Sequence, residues 1–302
     1  MRSHNSTPSW PRRPWKRALA PTVLLFAVTA LLFAPTATQA ITINAIYRGP
    51  GEQLGSFGTA QAQPGNAVGG GNLMAAVDAA VAYWESAFAD PFTLTIEYGW
   101  FPRDGGTTGT HRLVSEGGSP HRETVGTIAL DSDGSTIWFA DPTPYDASEY
   151  STFTEYTSDL GGGPMNVGRE FTGASGFAIR HDLFSTVLHE IGHALGLSSA
   201  NNAYVAEAAD GDVDITAPLP YAGASLPVNA DNAHLNLTRA LLRSSRPSGV
   251  RRYASEADIL ALAQISQFTQ VNLMPVIPEP SSLVILAVGL AAFAWRERRR
   301  AW

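Results

Sequence analysis

Five residues, His189-Glu190-Ile191-Gly192-His193, carry the densest chemistry in the sequence. Histidines at i and i+4 stand one turn apart on one helix face, where both imidazoles can share a single tetrahedral zinc. Glu190 is rotated away from both, close enough to reach a water at the metal without being a ligand. The chemistry this allows is hydrolysis. Water attacks a carbonyl with Glu190 as general base, and the same carboxyl returns the proton to a leaving amine.

Two ligands make a weak site, so a third must come from elsewhere. His4 lies in the leader, and His181 precedes the motif by about two turns and reaches the metal poorly. His111 and His121 sit in a Gly-rich stretch with no supporting pattern, and His234 follows the motif by about forty residues. The extended motif, continuing to Gly196, resembles the metzincin metalloproteases, which place a third histidine three residues after that glycine. Ser199 stands there instead. With the ligand displaced, the chain resembles leishmanolysin-like metzincins, in which an insertion precedes the third histidine and a methionine turn follows. That resemblance implies His189, His193 and His234 as zinc ligands, with Leu242 at the methionine position as the apolar floor. Ser244 stands where a metzincin tyrosine would be. The sharpest alternative third ligand is Glu207, as in zincins that use a downstream glutamate.

The elements that must position these residues are legible as patterns. Phe184, Val187, Leu188, Ile191, Ala194 and Leu195 form one apolar stripe, predicting a helix over Asp182–Leu195 that Gly196 ends. Leu73, Val77, Val81, Trp84 and Phe88 predict an earlier helix. Ser255, followed by Glu256 and Asp258, predicts the N-terminus of a last one running to about Phe268. Ile41–Tyr47 and Phe92–Tyr98 read as strands, and Val125–Leu130 with Thr136–Ala140 as a hairpin around Asp131–Gly134. The stretch Asp141–Gly173 reads as turn-rich. The expectation is an α+β, zincin-like domain over residues 41–272: a mixed sheet, an active-site helix beneath it and a C-terminal helix under the zinc floor. Thr136–Ala140 is the expected edge strand for pairing a protein or peptide substrate.

Composition narrows the function further. The chain has no Cys, which excludes a disulfide scaffold, a cysteine nucleophile and a cysteine-switch latch. Residues 41–280 hold 11 Arg, no Lys and 26 acids, a formal charge of −15 that argues against nucleic-acid binding. Asp210-Gly211-Asp212-Val213-Asp214 alternates carboxylates as calcium loops do, but lacks the glycine and glutamate of an EF-hand. A Ca2+ loop and a solvated acidic loop both remain open there.

Both ends read as addresses. Residues 1–40 have a basic start, an apolar run from Ala18 to Ala34 and the small-residue stretch Ala37–Ala40, the layout of a secretory signal peptide. Residues 273–302 contain Pro278-Glu279-Pro280, an apolar run from Leu283 to Trp295 and an arginine cluster. This resembles the PEP-CTERM sorting signal, which implies an exosortase-type processing enzyme as partner and a membrane-embedded tail until cleavage. The expected product is an exported zinc endopeptidase at the cell surface or outside it. The alternative is a non-catalytic surface or matrix protein on a zincin scaffold.

Overall fold

Strand Thr42–Tyr47 alternates exposed and buried side chains, with Ile43 turned into the core. In the computed structural model, which describes residues 41–276 except 219 and 230–232, it forms one side of a four-stranded sheet. Thr93–Phe101 pairs parallel to it, Arg122–Asp131 parallel to that, and Gly109–Gly117 closes the other side antiparallel. A parallel pair needs a crossover, and helix Leu73–Ala87 supplies it, capped by Asn72 Oδ1, which accepts from the Ala75 N–H at 2.9 Å. The fold is therefore α+β with a mixed sheet, as the patterns predict. The leader reading, residues 1–40, and the tail reading, residues 273–302, lie outside the described residues except for 273–276.

The motif helix, Leu183–Ala194, is buried along its whole length. Trp84 of the first helix donates its indole N–H to the Leu188 carbonyl at 2.9 Å, fixing one helix against the other. At the N-terminus Asp182 accepts from the Ser185 N–H and hydroxyl, while Arg251 bridges Asp182 and Asp141 at 2.8 and 2.6 Å. A buried arginine satisfied by two carboxylates is costly to half-remove, so this cluster holds the helix start to the strand before the last helix. Gly196, at φ +142°, turns the chain off the helix in a conformation other residues rarely adopt.

The last helix, Glu256–Ser266, opens with a capping box between Ser255 and Asp258. The same Asp258 carboxylate accepts from the main-chain N–H groups of Leu241 and Leu242 at 3.0 and 2.8 Å. One side chain thus caps a helix and holds the turn beneath the motif.

Three expectations need correction. Asp141–Gly173 is not turn-rich: Tyr150–Asp159 and Pro164–Ala174 are two long antiparallel strands, with Arg251–Tyr253 added beside the second. The first of them is mostly exposed and rich in Ser and Thr, so it shows no apolar alternation. Residues 136–140 form no hairpin with 125–130. The Asp131 carboxylate accepts from the N–H groups of Arg103, Asp133 and Thr136 and redirects the chain, so Trp138–Phe139 pairs parallel with His181–Asp182. Nor are they the edge strand of the cleft. That strand is Gly109–Gly117, whose outer side pairs with nothing among the described residues.

Candidate metal centre

His189 and His193 each turn one ring nitrogen toward a main-chain carbonyl. His189 Nδ1 lies 2.8 Å from the Leu241 oxygen and His193 Nδ1 lies 2.5 Å from the Leu197 oxygen. A carbonyl only accepts, so both Nδ1 atoms carry the proton and both Nε2 atoms are bare. The two bare nitrogens face each other at 3.0 Å. Nitrogens bound at about 2.0–2.1 Å to a tetrahedral zinc would stand about 3.4 Å apart, close to what is seen. Lone pairs that converge in this way suit a cation between them. Burial holds His189 well below the ordinary imidazole range, and mainly burial carries His193 down to about 3, so both are neutral, as ligands must be.

His234 completes the cluster. Ligand atoms of His189, His193 and His234 all lie within 4.8 Å of one another, and its ring centroid is 5.3 and 4.9 Å from the other two. Ser199 sits exposed at the cleft mouth. Glu207 is elsewhere, at the end of helix Asn202–Glu207, accepting from the Asp214 N–H. Asp210, Asp212 and Asp214 cluster near it on the rim of a short hairpin.

Leu242 is fully buried below the motif. A Cβ on Gly192 would lie 2.4 Å from Leu242 Cδ2, so the glycine leaves open the space that Leu242 fills. Gly109 makes room in the same way for Glu190, whose Oε1 would be 2.6 Å from an added Cβ. Burial raises the Glu190 carboxyl to about 7, while Arg246, the His111 main-chain N–H and Arg103 pull it back. A carboxyl poised there can take and return a proton at neutral pH.

The cleft above these groups encloses about 410 Å³. Two of its side chains carry no signal in the sequence patterns. His111, on the edge strand, lies 2.7 Å from Glu123 Oε1 on the neighbouring strand, with both side chains buried. Burial lowers the imidazole to about 3 and raises the carboxyl to about 9, so the pair is neutral and the acid donates to His111 Nε2. Its ring lies nearly parallel to that of His193, centroids 6.3 Å apart. Arg246 lines the same cleft and donates to Thr108 Oγ1 at 3.2 Å. Only the pairing of distant segments reveals either residue. His181 and His121 line no part of it.

Residues 276–300 match the model of the PEP-CTERM protein-sorting motif. No curated protein and no solved structure matches the chain. The motif marks an exported protein, processed at its C-terminus by an exosortase-type enzyme and placed at the cell surface or outside the cell. Among the described residues no helix is long and apolar enough to cross a membrane.

Proposed function

We propose that the exported domain is a zinc-dependent endopeptidase of zincin type, leishmanolysin-like in the displacement of its third histidine. The observation that carries this reading is the convergence of two bare helix imidazole nitrogens and His234 beside a buried, near-neutral glutamate. His189, His193 and His234 would hold the metal. A bound zinc supplies a Lewis acid that polarises a carbonyl and brings the pKa of water near neutrality.

The remaining work falls to the chain's own residues. Glu190 takes the proton of the attacking water and returns it to the amine that leaves. The Leu241 and Leu197 carbonyls keep both helix imidazoles in the tautomer that offers Nε2 to the metal. The open side of Gly109–Gly117 offers main-chain groups to an extended peptide, aligning it across the cleft by strand addition. A carboxyl buried beside the histidines, held by the His111 main-chain N–H and facing Arg246, is placed for proton transfer, which favours the catalytic over the non-catalytic reading. Assay of the full chain with zinc on casein, beside Glu190→Gln, tests the proposal. Cleavage by wild type alone supports it; equal cleavage by both, or by neither while zinc is bound, overturns it.

A further inference from the structure

The lining of the cleft is unusual for a peptide-binding surface. Apart from the histidines, Glu190 and Arg246, the described residues that line it are Gly, Ala, Ser and Thr. Among the described residues no large apolar side chain lines it. Arg246 is its one cation among the described residues, and of five guanidinium N–H donors one is committed, to Thr108. The carboxylates of Glu190 and Asp182 act on it through space, but none of the ion pairs among the described residues includes it. By contrast, the buried Arg251 is in direct contact with Asp141 and Asp182, and Arg252 with Glu170.

Position gives the charge a meaning. Thr108 adjoins Gly109, the residue pressed against Glu190. Arg246 therefore stands at the Glu190 end of the cleft, where the proton is handed to the leaving amine. The half of a substrate lying there is the half C-terminal to the broken bond.

Building on the peptidase reading, we propose that Arg246 is the specificity residue of the cleft, binding a carboxylate in the leaving half of the substrate. That carboxylate is either the side chain of Asp or Glu just after the scissile bond or the free carboxyl terminus of a short leaving fragment. A guanidinium fork matches either one with two parallel hydrogen bonds, and the hydroxyl-rich walls suit a polar residue. Arg246 stays protonated, its pKa lowered by burial only to about 10. Because the domain is strongly acidic, this recognition acts at close range and not by steering from a distance.

The test has two arms. In the first, the full chain with zinc digests a peptide library, and cut sites are read by mass spectrometry. Matched peptides carrying Asp or Asn after the scissile bond are then compared. Acid is expected to exceed amide by about ten- to a hundredfold in kcat/KM, chiefly through KM, with the ratio falling toward one in Arg246→Gln and partly kept in Arg246→Lys. Cuts within long chains before acidic residues point to the side-chain carboxylate; release of terminal dipeptides points to the chain end. In the second arm, calorimetry measures binding of the Asp and Asn peptides to zinc-loaded Glu190→Gln and to unaltered protein. At least about tenfold tighter binding of the Asp peptide supports the proposal even if nothing is cleaved, in which case the peptidase reading alone falls. Cleavage with no preference, or a preference that survives in Arg246→Gln, overturns the proposal and leaves the peptidase standing.

Discussion

His189 and His193 reach the candidate metal position from a helix buried along its whole length, tied down by Trp84, Asp182 and Arg251. His234 reaches the same point from a loop with little regular structure. Its neighbours are held by main-chain bonds, Asn229 N–H to the His234 carbonyl at 2.9 Å and Leu235 N–H to the Leu242 carbonyl at 2.8 Å. The helix pair is positioned by the core; the loop ligand is tied, through Leu235, to the Leu241–Leu242 turn. The difference teaches that Asp258 is the hinge between them. It holds that turn, and the turn supplies both the carbonyl that orients His189 and the carbonyl that holds Leu235, the residue next to His234.

The largest effects should come from the rigid half. His193→Ala removes a ligand from a frame that cannot rearrange to replace it, so zinc content and casein cleavage should both vanish. Glu190→Gln should keep zinc and lose at least about a thousandfold in rate. Retained activity in either variant would break the distinction between the rigid pair and its surroundings.

Asp258→Ala comes next, because it strips a helix cap and leaves two buried N–H groups unpaired. Together these amount to about 3 kcal/mol of stability, read from chemical denaturation. Zinc affinity should fall with it, since both kinds of ligand lose their support. Lost stability with unchanged zinc affinity would show that the turn does not couple them.

The helices were readable because their apolar stripes are local. Leu73–Ala87, Leu183–Ala194 and Glu256–Ser266 all fall inside the spans that periodicity and capping residues indicate. Strand Tyr150–Asp159 was not, since one exposed face of Ser, Thr and Glu looks like a loop until its partner is known. The same holds at the site. His189, Glu190 and His193 are a local pattern, whereas His111 needs the register of two strands to meet Glu123, and Arg246 needs the chain to return from the floor turn to Thr108.

The His111–Glu123 pair yields a pH prediction. Glu123 is raised in the folded state from its ordinary 4.5 to about 9, so folding retains a proton that the unfolded chain releases. Its contribution to stability is full below about pH 4.5 and is lost as pH rises toward 9. Glu123→Gln does not titrate, so its stability relative to wild type should climb across that window. A difference that stays flat in denaturation curves from pH 5 to 9 would contradict the neutral pair.

The smallest effects are expected at the two departures from the metzincin pattern. Ser199→Ala alters an exposed rim residue and should leave zinc and cleavage near wild type. Leu242→Met keeps an apolar floor of similar volume and should cost less than about 1.5 kcal/mol. A large loss from Ser199→Ala would bring the third ligand back to the helix end.

The most direct test is metal stoichiometry of the full chain by elemental analysis after dialysis, for wild type, His234→Ala and Glu207→Ala. Wild type and Glu207→Ala should each retain about one zinc per chain, while His234→Ala, left with two ligands, should lose most of it. A wild type without zinc would contradict the metal centre itself. Zinc kept by His234→Ala and lost by Glu207→Ala would assign the third ligand to the glutamate and overturn the arrangement proposed from the three converging histidines.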